Sequence, residues 1–487
     1  MTVVETSTPS YHLFIGGNWI PSETGATSDD YNPTTGQVYA RVAEASAADT
    51  AKAVEAAHEA RIEWAKKPGR ERARFLLRAA DILEANAVEY ANVLVHEGGG
   101  WFGKAMHEVM VTVDNLRAVA EDHKLVTGEV LPTDQPDVLS FTMRQPLGVT
   151  VAITPWNYPL ILAMKKVDHA LITGNTVVLK PAEETPVIGL KIGELFAAAG
   201  LPAGVLNVVT GPGATIGDAL VTHPLTRIIS FTGSTPTGRI IASKAGALLK
   251  RVVLELGGKD PIIVLADADL DYAVNAVTFS AFLHQGQICM SAERIIVEES
   301  IVDEFARKLA EKVKNLPVGD PSNPANIIGP IIHKEQLDII DTHVQDAIAR
   351  GARVLCGGVR QDPYYLPTVL SGVTPDMRIY QEETFGPVAP ITAVPDINAA
   401  IQAANDSIYG LSCGVLTNDL QKAIYMAERI ETGMLHINDG SVGDDPNAPF
   451  GGVKASGGGR EGGHASIEAM TEVKWVSIQK GQRQFPF

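Results

Sequence analysis

Cysteine is scarce: Cys289, Cys356 and Cys413 are the only three among 487 residues. So few thiols exclude a disulfide framework, leave at least one sulfur unpaired and point to a reducing cytoplasm. No run of about 18 uninterrupted apolar residues occurs, so no membrane span is expected. Basic residues are in deficit, 40 Lys plus Arg against 57 Asp plus Glu, for a net charge of −17. That balance argues against nucleic acid or an anionic membrane as partner, because basic patches hold both. None of the 12 histidines stands at metal-ligand spacing with Cys or acids, so no metal is expected. The first ten residues have neither a basic region nor an apolar run and read as a polar tail.

What is present is ordinary globular composition, 45% hydrophobic and 20% charged, in a chain long enough for two or three domains. Ala48–Arg61, Arg70–Val95 and Lys104–Lys124 are Ala-rich with apolar spacing near 3.6, which predicts helices. From Val149 the rhythm changes. Apolar runs at Val149–Ile153, Thr176–Leu179, Val205–Val209, Arg227–Phe231 and Val252–Leu256 alternate with helical stretches at Pro159–Thr173, Pro186–Ala199, Thr215–Thr222 and Pro236–Leu249. Strands apolar on both faces, separated by helices, predict a doubly wound parallel sheet. A second α/β block follows, with strands at Pro261–Leu265 and Arg294–Val297 and helices at Asp269–Leu283, Ser300–Asn315 and Lys334–Arg350. Asn438–Gly463 reads as a long glycine-rich loop of the kind that carries function. The alternating run Glu472–Gln479 reads as a strand, with Val138–Arg144 or a second subunit as its partner.

Two stretches match Gly-x-Gly-x-x-Gly, Gly98–Gly103 and Gly457–Gly462. That fingerprint binds pyrophosphate only between a strand and a helix N-terminus, and neither stretch has that setting. Phe231-Thr232-Gly233-Ser234-Thr235-Pro236 does: it ends a predicted parallel strand and opens a helix.

Cys289 lies in His284-Gln285-Gly286-Gln287-Ile288-Cys289-Met290-Ser291, just past a predicted helix. Free cysteines are commonly buried core residues, the reading that suits Cys356 and Cys413. The residues Gln285, Gly286 and Gln287 are poor core material and suggest a loop that exposes Cys289 to a ligand. Glu255 ends an apolar strand and precedes Gly257-Gly258, which aims a carboxylate into the crevice where open α/β sheets bind ligands. A thiol and a water-activating base are what chemistry through a thioester requires. Asn157 stands between prolines in Pro155-Trp156-Asn157-Tyr158-Pro159, either as a fixed side-chain donor or as a helix cap. Lys180 with Glu183 reads as a solvated pair or a ligand contact, and Glu383 with Phe385 as a loop acid and core aromatic or another.

Taken together with Glu382-Glu383-Thr384-Phe385-Gly386-Pro387, these motifs make the chain from about Phe14 to Gln479 resemble the NAD(P)-dependent aldehyde dehydrogenase superfamily. The resemblance implies an α/β fold of two doubly wound Rossmann-type domains plus a small β oligomerisation arm. It divides the chain into a cofactor domain (1–126 and 147–257), a Cys-bearing catalytic domain (258–462) and the arm (127–146 and 463–487). It implies NAD as cofactor, with NADP possible, held by Trp156, Lys180, Glu183, Phe231, Gly233, Ser234, Glu383 and Phe385. Glu183 favours NAD, because a carboxylate accepts from a ribose 2′-hydroxyl and repels a 2′-phosphate. Cys289 becomes the nucleophile and Glu255 the base that hydrolyses the thioester. Asn157 completes the oxyanion hole with the backbone N–H of Cys289, and Lys166 and Glu461 relay protons.

Tyr158, Leu160, Leu283, Ile288, Met290, Val442 and Phe450 are the expected substrate-lining positions. They are apolar or aromatic, with no Lys or Arg to clamp an anionic group, so a small uncharged and flat aldehyde is expected. The run Phe282–Met290 resembles in particular the bacterial benzaldehyde, vanillin and salicylaldehyde dehydrogenases. Competing expectations are an aliphatic aldehyde or semialdehyde dehydrogenase and, more remotely, a cysteine esterase or thioesterase without redox chemistry. The resemblance also implies a homodimer or homotetramer.

Overall fold

The computed structural model describes residues 8–487; residues 1–7 of the expected polar tail lie outside them. Two sheets organise the chain. The first runs, edge to edge, Gly457–Gly458, Arg251–Glu255, Thr226–Thr232, Val149–Ile153, Thr176–Lys180, Leu206–Val208, Leu13–Ile15 and Asn18–Ile20. Its five central strands are parallel and the flanking ones antiparallel. Helices cover both faces, which is why Thr176–Lys180 and Val149–Ile153 are buried along their whole length.

Local sequence sets the crossovers. Proline occupies the first turn of Pro159–Thr173, Pro186–Ala198 and Thr235–Ala247, where a missing N–H is tolerated. Gly174 closes the first of these helices in the left-handed region at φ 95°. Ser46 and Asp49 form a reciprocal capping box at the start of Ala47–Lys66.

The expected single helix Arg70–Val95 is two, Gly69–Ala85 and Ala87–Gly98. Asn86 breaks it, with φ −114° and ψ 21° and its side-chain amide donating to the Ile82 carbonyl at 2.7 Å. The apolar spacing continues through the break because both halves pack on one core. The N-terminal strands between Ser10 and Ala43 were not expected; Thr27–Tyr31 and Val38–Ala43 form most of a small separate sheet.

The second sheet begins five residues after the first sheet's Arg251–Glu255 strand ends. Its order is Arg353–Cys356, Thr368–Ser371, Val388–Val394, Ala292–Glu298, Asp260–Val264, Gly414–Leu416 and His436–Ile437, parallel except at the first pairing. Only two of these strands were legible in the sequence. Because Glu255 closes one sheet and Asp260 opens the other, the C-terminal edge of the first faces the N-terminal edge of the second. A third, small sheet pairs Thr471–Gln479 antiparallel with Val138–Pro146 through nine register partners. No helix among the described residues is long and apolar enough to cross a membrane.

Candidate active site

In the first sheet Val149–Ile153 and Thr226–Thr232 are neighbours, with Ile153 opposite Phe231. Their onward connections lead to strands on opposite sides, so the topological switch point of the doubly wound sheet lies between them. Pro155, Trp156 and Asn157 leave the first strand there, and Gly233 and Ser234 leave the second. They wall a cavity of about 300 Å³, together with Gly257, Cys289, Gln336, Glu383 and Phe385. A second cavity of about 200 Å³ is lined by Tyr158, Ile161, Leu162, Leu283, Ile288, Met290, Val442 and Phe450, with His107, Glu108 and Asp444 as ionisable members. Cys289 and Asn157 line both cavities. The sulfur therefore stands at the junction of two chambers.

Cys289 is unpaired and only partly exposed. Burial pushes its thiol well up, and the nearby charges of Asp260, Glu255 and Glu383 push it further. The turn that presents it is unusual. His284, Gln285 and Gly286 lie consecutively in the left-handed region, at φ 50°, 57° and 70°. Contrary to the expectation of an exposed loop, Gln285 and Gln287 are fully buried. Gln285 Nε2 donates to the carbonyls of Gly99 (3.1 Å) and Pro330 (2.9 Å), and Gln287 Oε1 accepts from Ile332 N–H (3.0 Å). The two amides brace the strained turn.

Asn157 does not cap a helix. Tyr158 holds the cap position of Pro159–Thr173 without a side-chain bond. Asn157 Nδ2 donates to the Gln287 carbonyl at 3.0 Å, which orients the amide beside the Cys289 segment and leaves its second N–H. Two residues absent from the sequence-level reading hold Asn157 in turn. Lys104 Nζ donates to the Asn157 carbonyl (2.8 Å) and pairs with Glu108 (2.6 Å), and Glu108 Oε1 accepts from the helix N–H groups of Leu160 (2.9 Å) and Ile161 (3.3 Å).

Glu255 is 2% exposed, and neither carboxylate oxygen has a hydrogen-bond partner. Burial raises its pKa well above the ordinary value, and the Glu461 charge adds to the rise. It lines neither cavity. Its carboxylate lies against Gly451, where a Cβ would meet Oε1 at 2.4 Å. Glu461 accepts from Lys166 and from Ser230 Oγ (2.9 Å); although burial opposes its charge, Lys166 holds it below the usual carboxylate range. Glu255, Glu461 and Lys166 are thus brought into one buried cluster.

Glu383 accepts from Gly258 N–H at 2.9 Å, and its pKa is pushed up to about 8 by burial and by Glu293. Phe385 packs edge-on to Trp156 with ring centres 5.5 Å apart. Glu293, also missed, holds this loop: its oxygens accept from Thr384 N–H (2.7 Å), Phe385 N–H (2.6 Å) and Lys259 Nζ (2.7 Å). No sequence signal marked it, since its partners lie 34 residues before it and 91 and 92 residues after it in the chain.

Lys180 ends its strand buried, with Nζ 4.0 Å from the half-exposed Glu183. Glu183 accepts from Gly213 N–H at 2.7 Å. Ser234 occupies the cap position of Thr235–Ala247 without a side-chain cap bond. Any side chain at Gly233 would meet the Phe231 ring at 2.5 Å, so the ring packed beneath the turn requires glycine there.

Two expected contacts fall elsewhere. Leu160 is fully buried in the core, and Ile161 and Leu162 take its place at the cavity wall. Phe231 lies beneath Gly233 in an apolar cluster with Ile153 and Leu254 rather than at the cavity surface. Of the glycine fingerprints, Gly98–Gly103 spans the end of one helix and the start of another. Gly457–Gly458 is an edge strand opposite Glu255 and Leu254, which attaches this piece of the expected catalytic segment to the first sheet. No group of His, Cys, Asp and Glu suited to a metal ion occurs among the described residues.

The model of the aldehyde dehydrogenase family matches residues 19–476. The chain is 42% identical to vanillin dehydrogenase of Pseudomonas fluorescens, covering 97% of this chain and 99% of that one. It is 41% identical to the NAD(+) benzaldehyde dehydrogenase of Pseudomonas putida, covering 98% of each. A salicylaldehyde dehydrogenase from Pseudomonas putida G7, solved with salicylaldehyde, superposes with a TM-score of 0.96 at 42% identity, over 98% of this chain and 100% of that one. The chain belongs to the aldehyde dehydrogenase family, and is an oxidoreductase that uses a nicotinamide cofactor to oxidise aldehydes to acids.

Proposed function

We propose that this enzyme oxidises aromatic aldehydes to carboxylic acids with NAD, through a thioester on Cys289. The observation that carries the reading is the position of Cys289 and Asn157 on both cavities: one, of about 300 Å³, carries Glu383, Gln336 and the Gly233–Ser234 turn, and the other, of about 200 Å³, is walled mainly by apolar and aromatic side chains. Cys289 attacks the carbonyl carbon to give a thiohemiacetal. The amide of Asn157 and the backbone N–H of Cys289 hold the alkoxide, each such donor contributing about 3 kcal/mol. Collapse of the alkoxide expels hydride and leaves the acyl group on sulfur. A nicotinamide held by Glu383 and Phe385 would supply the hydride acceptor and a positive charge that favours the Cys289 thiolate. Glu255 takes a proton from the water that hydrolyses the thioester, and the Glu461–Lys166 pair passes the proton on.

The lining of the first cavity suits the cofactor: Glu383 and Phe385 for the nicotinamide ribose and ring, and Gly233 and Ser234 for the diphosphate; Lys180 and Glu183, outside that cavity at the end of the next strand, are assigned to the adenosine ribose. The Glu183 carboxylate is the reason for NAD over NADP. Residues 1–126 and 147–257 then form the cofactor domain and 258–462 the catalytic one. The arm of 127–146 and 463–487 meets a second copy, in a dimer or tetramer.

Aromatic rather than anionic aliphatic substrates are favoured by the second cavity, whose wall is apolar and whose charged members are the acids Glu108 and Asp444. Each acid is paired with a buried lysine, Glu108 with Lys104 and Asp444 with Lys165, so among the described residues the wall offers no free Lys or Arg cation to the carboxylate of a semialdehyde. Purified enzyme assayed for NADH or NADPH formation on benzaldehyde, 4-hydroxybenzaldehyde, vanillin and succinic semialdehyde tests the reading. The highest kcat/KM on an aromatic aldehyde with NAD is expected. A preference for the semialdehyde overturns the substrate assignment, and ester hydrolysis without cofactor reduction overturns the mechanism.

A further inference from the structure

The ion pair between Lys165 and Asp444 takes no part in the reaction described above, yet it reaches the second cavity. Nζ of Lys165 and Oδ1 of Asp444 are 2.6 Å apart, with the lysine side chain 1% exposed and the aspartate side chain 25% exposed. The ammonium also lies 4.4 Å from the centre of the Phe450 ring. Asp444 and Phe450 line the cavity that holds Cys289. Of the two acids on that wall, Glu108 has both oxygens committed, one to helix N–H groups and one to Lys104. Asp444 does not. Among the described residues Lys165 is its one side-chain donor, at Oδ1, so Oδ2 is left as an open acceptor. The buried lysine fixes where that acceptor points, and the pair as a whole is neutral.

We infer that Asp444 recognises a ring hydroxyl: the substrate is a phenolic aldehyde whose hydroxyl donates to Asp444 while its carbonyl faces Cys289. The inference rests on the aromatic reading and narrows it. An uncharged phenol gives a fixed carboxylate a charge-assisted hydrogen bond, whereas a substrate carboxylate in the same place has no proton to donate to the open oxygen. The remaining wall, Tyr158, Ile288, Met290 and Phe450 among it, supplies the flat apolar slot for the ring.

The test is the ratio of kcat/KM for 2-, 3- and 4-hydroxybenzaldehyde to that for benzaldehyde. For the isomer whose hydroxyl reaches Asp444, the ratio is expected to fall about tenfold in Asp444→Ala, the scale of one hydrogen bond to a charged acceptor partly open to water. Asp444→Asn keeps one oxygen, which faces the Lys165 ammonium, and turns a donor-only –NH2 toward the hydroxyl, so the ratio is expected to fall by at least roughly threefold. If Asp444→Ala does not fold, as melting would reveal, the Asn variant decides. Unchanged ratios for all three isomers overturn the inference and leave the aromatic reading standing. An enzyme that oxidises aliphatic aldehydes but no aromatic one overturns both.

Discussion

Glu255 holds a carboxylate where no protein group solvates it, 2% exposed and with both oxygens unpartnered. Its pKa in the folded chain lies above the ordinary 4.5. A raised carboxylate contributes stability that is complete below its unfolded pKa and is lost as pH rises through the folded one. Glu255→Gln removes that penalty. The melting-temperature difference between variant and wild type is therefore expected to be small near about pH 5 and to grow in favour of the variant toward about pH 8. A difference that is flat with pH would show that the carboxylate is solvated. The same variant is expected to give one burst of NADH per site and then stall, read by rapid mixing, because acylation needs no base at 255 while hydrolysis does. For Glu183, replacement by Gln is expected to raise NADP use relative to NAD by about tenfold in kcat/KM, the order of one charge–charge contact near the surface. An unchanged cofactor ratio would remove Glu183 from that role. At this scale Cys289 stood out in the sequence because of its flanking residues, but Leu160 was misplaced by one position. A helix turns about 100° per residue, and sequence alone did not give its phase. Asp444 and Glu108 were passed over because what keeps a charge beside a cavity is a distant lysine, and that pairing is tertiary.

The segment before Cys289 shows what an element costs. Non-glycine residues in the left-handed region cost roughly 1–3 kcal/mol each, and His284 and Gln285 both adopt it. Gln285 and Gln287 hold the turn through carbonyls and an N–H from two other segments, so residues read as unfit for a core form its frame. At Gly286 a Cβ would meet the Gly386 carbonyl oxygen at 2.2 Å, with φ already at +70°. Gly286→Ala is expected to lose roughly 2–3 kcal/mol in denaturant unfolding and most NADH formation. Activity within twofold of wild type would mean the turn does not position the thiol. The parallel strands and proline-started helices of the first sheet were readable because a buried strand and its crossover leave a strong local pattern. Strands such as Thr368–Ser371 and Gly414–Leu416 were not, being short and separated by loops whose pairing is set by distant neighbours.

For the molecule as a whole, the third sheet is the part with the least to pack against. Val473 and Trp475, two apart on one strand and so on one face, are 59% and 68% exposed. Val130, on the edge strand of the same sheet, is 77% exposed on the opposite face, because it pairs with Phe141, which itself faces Val476 rather than Trp475. Apolar side chains left open on both faces are characteristic of an interface. Val473→Lys with Trp475→Lys is expected to lower the mass measured by light scattering; an unchanged mass would place the subunit contact elsewhere. That the main sheet is parallel and covered on both faces followed from the alternation of strands and helices, whereas the docking of the two sheets edge to edge did not, because it depends on how the short link between Glu255 and Asp260 turns.

A sulfur at a doorway between two rooms also sets the traffic through them. On the mechanism proposed above, an acyl group tethered to Cys289 fills the apolar side and leaves the other cavity, which also reaches the sulfur, as the way for solvent to the acyl carbon.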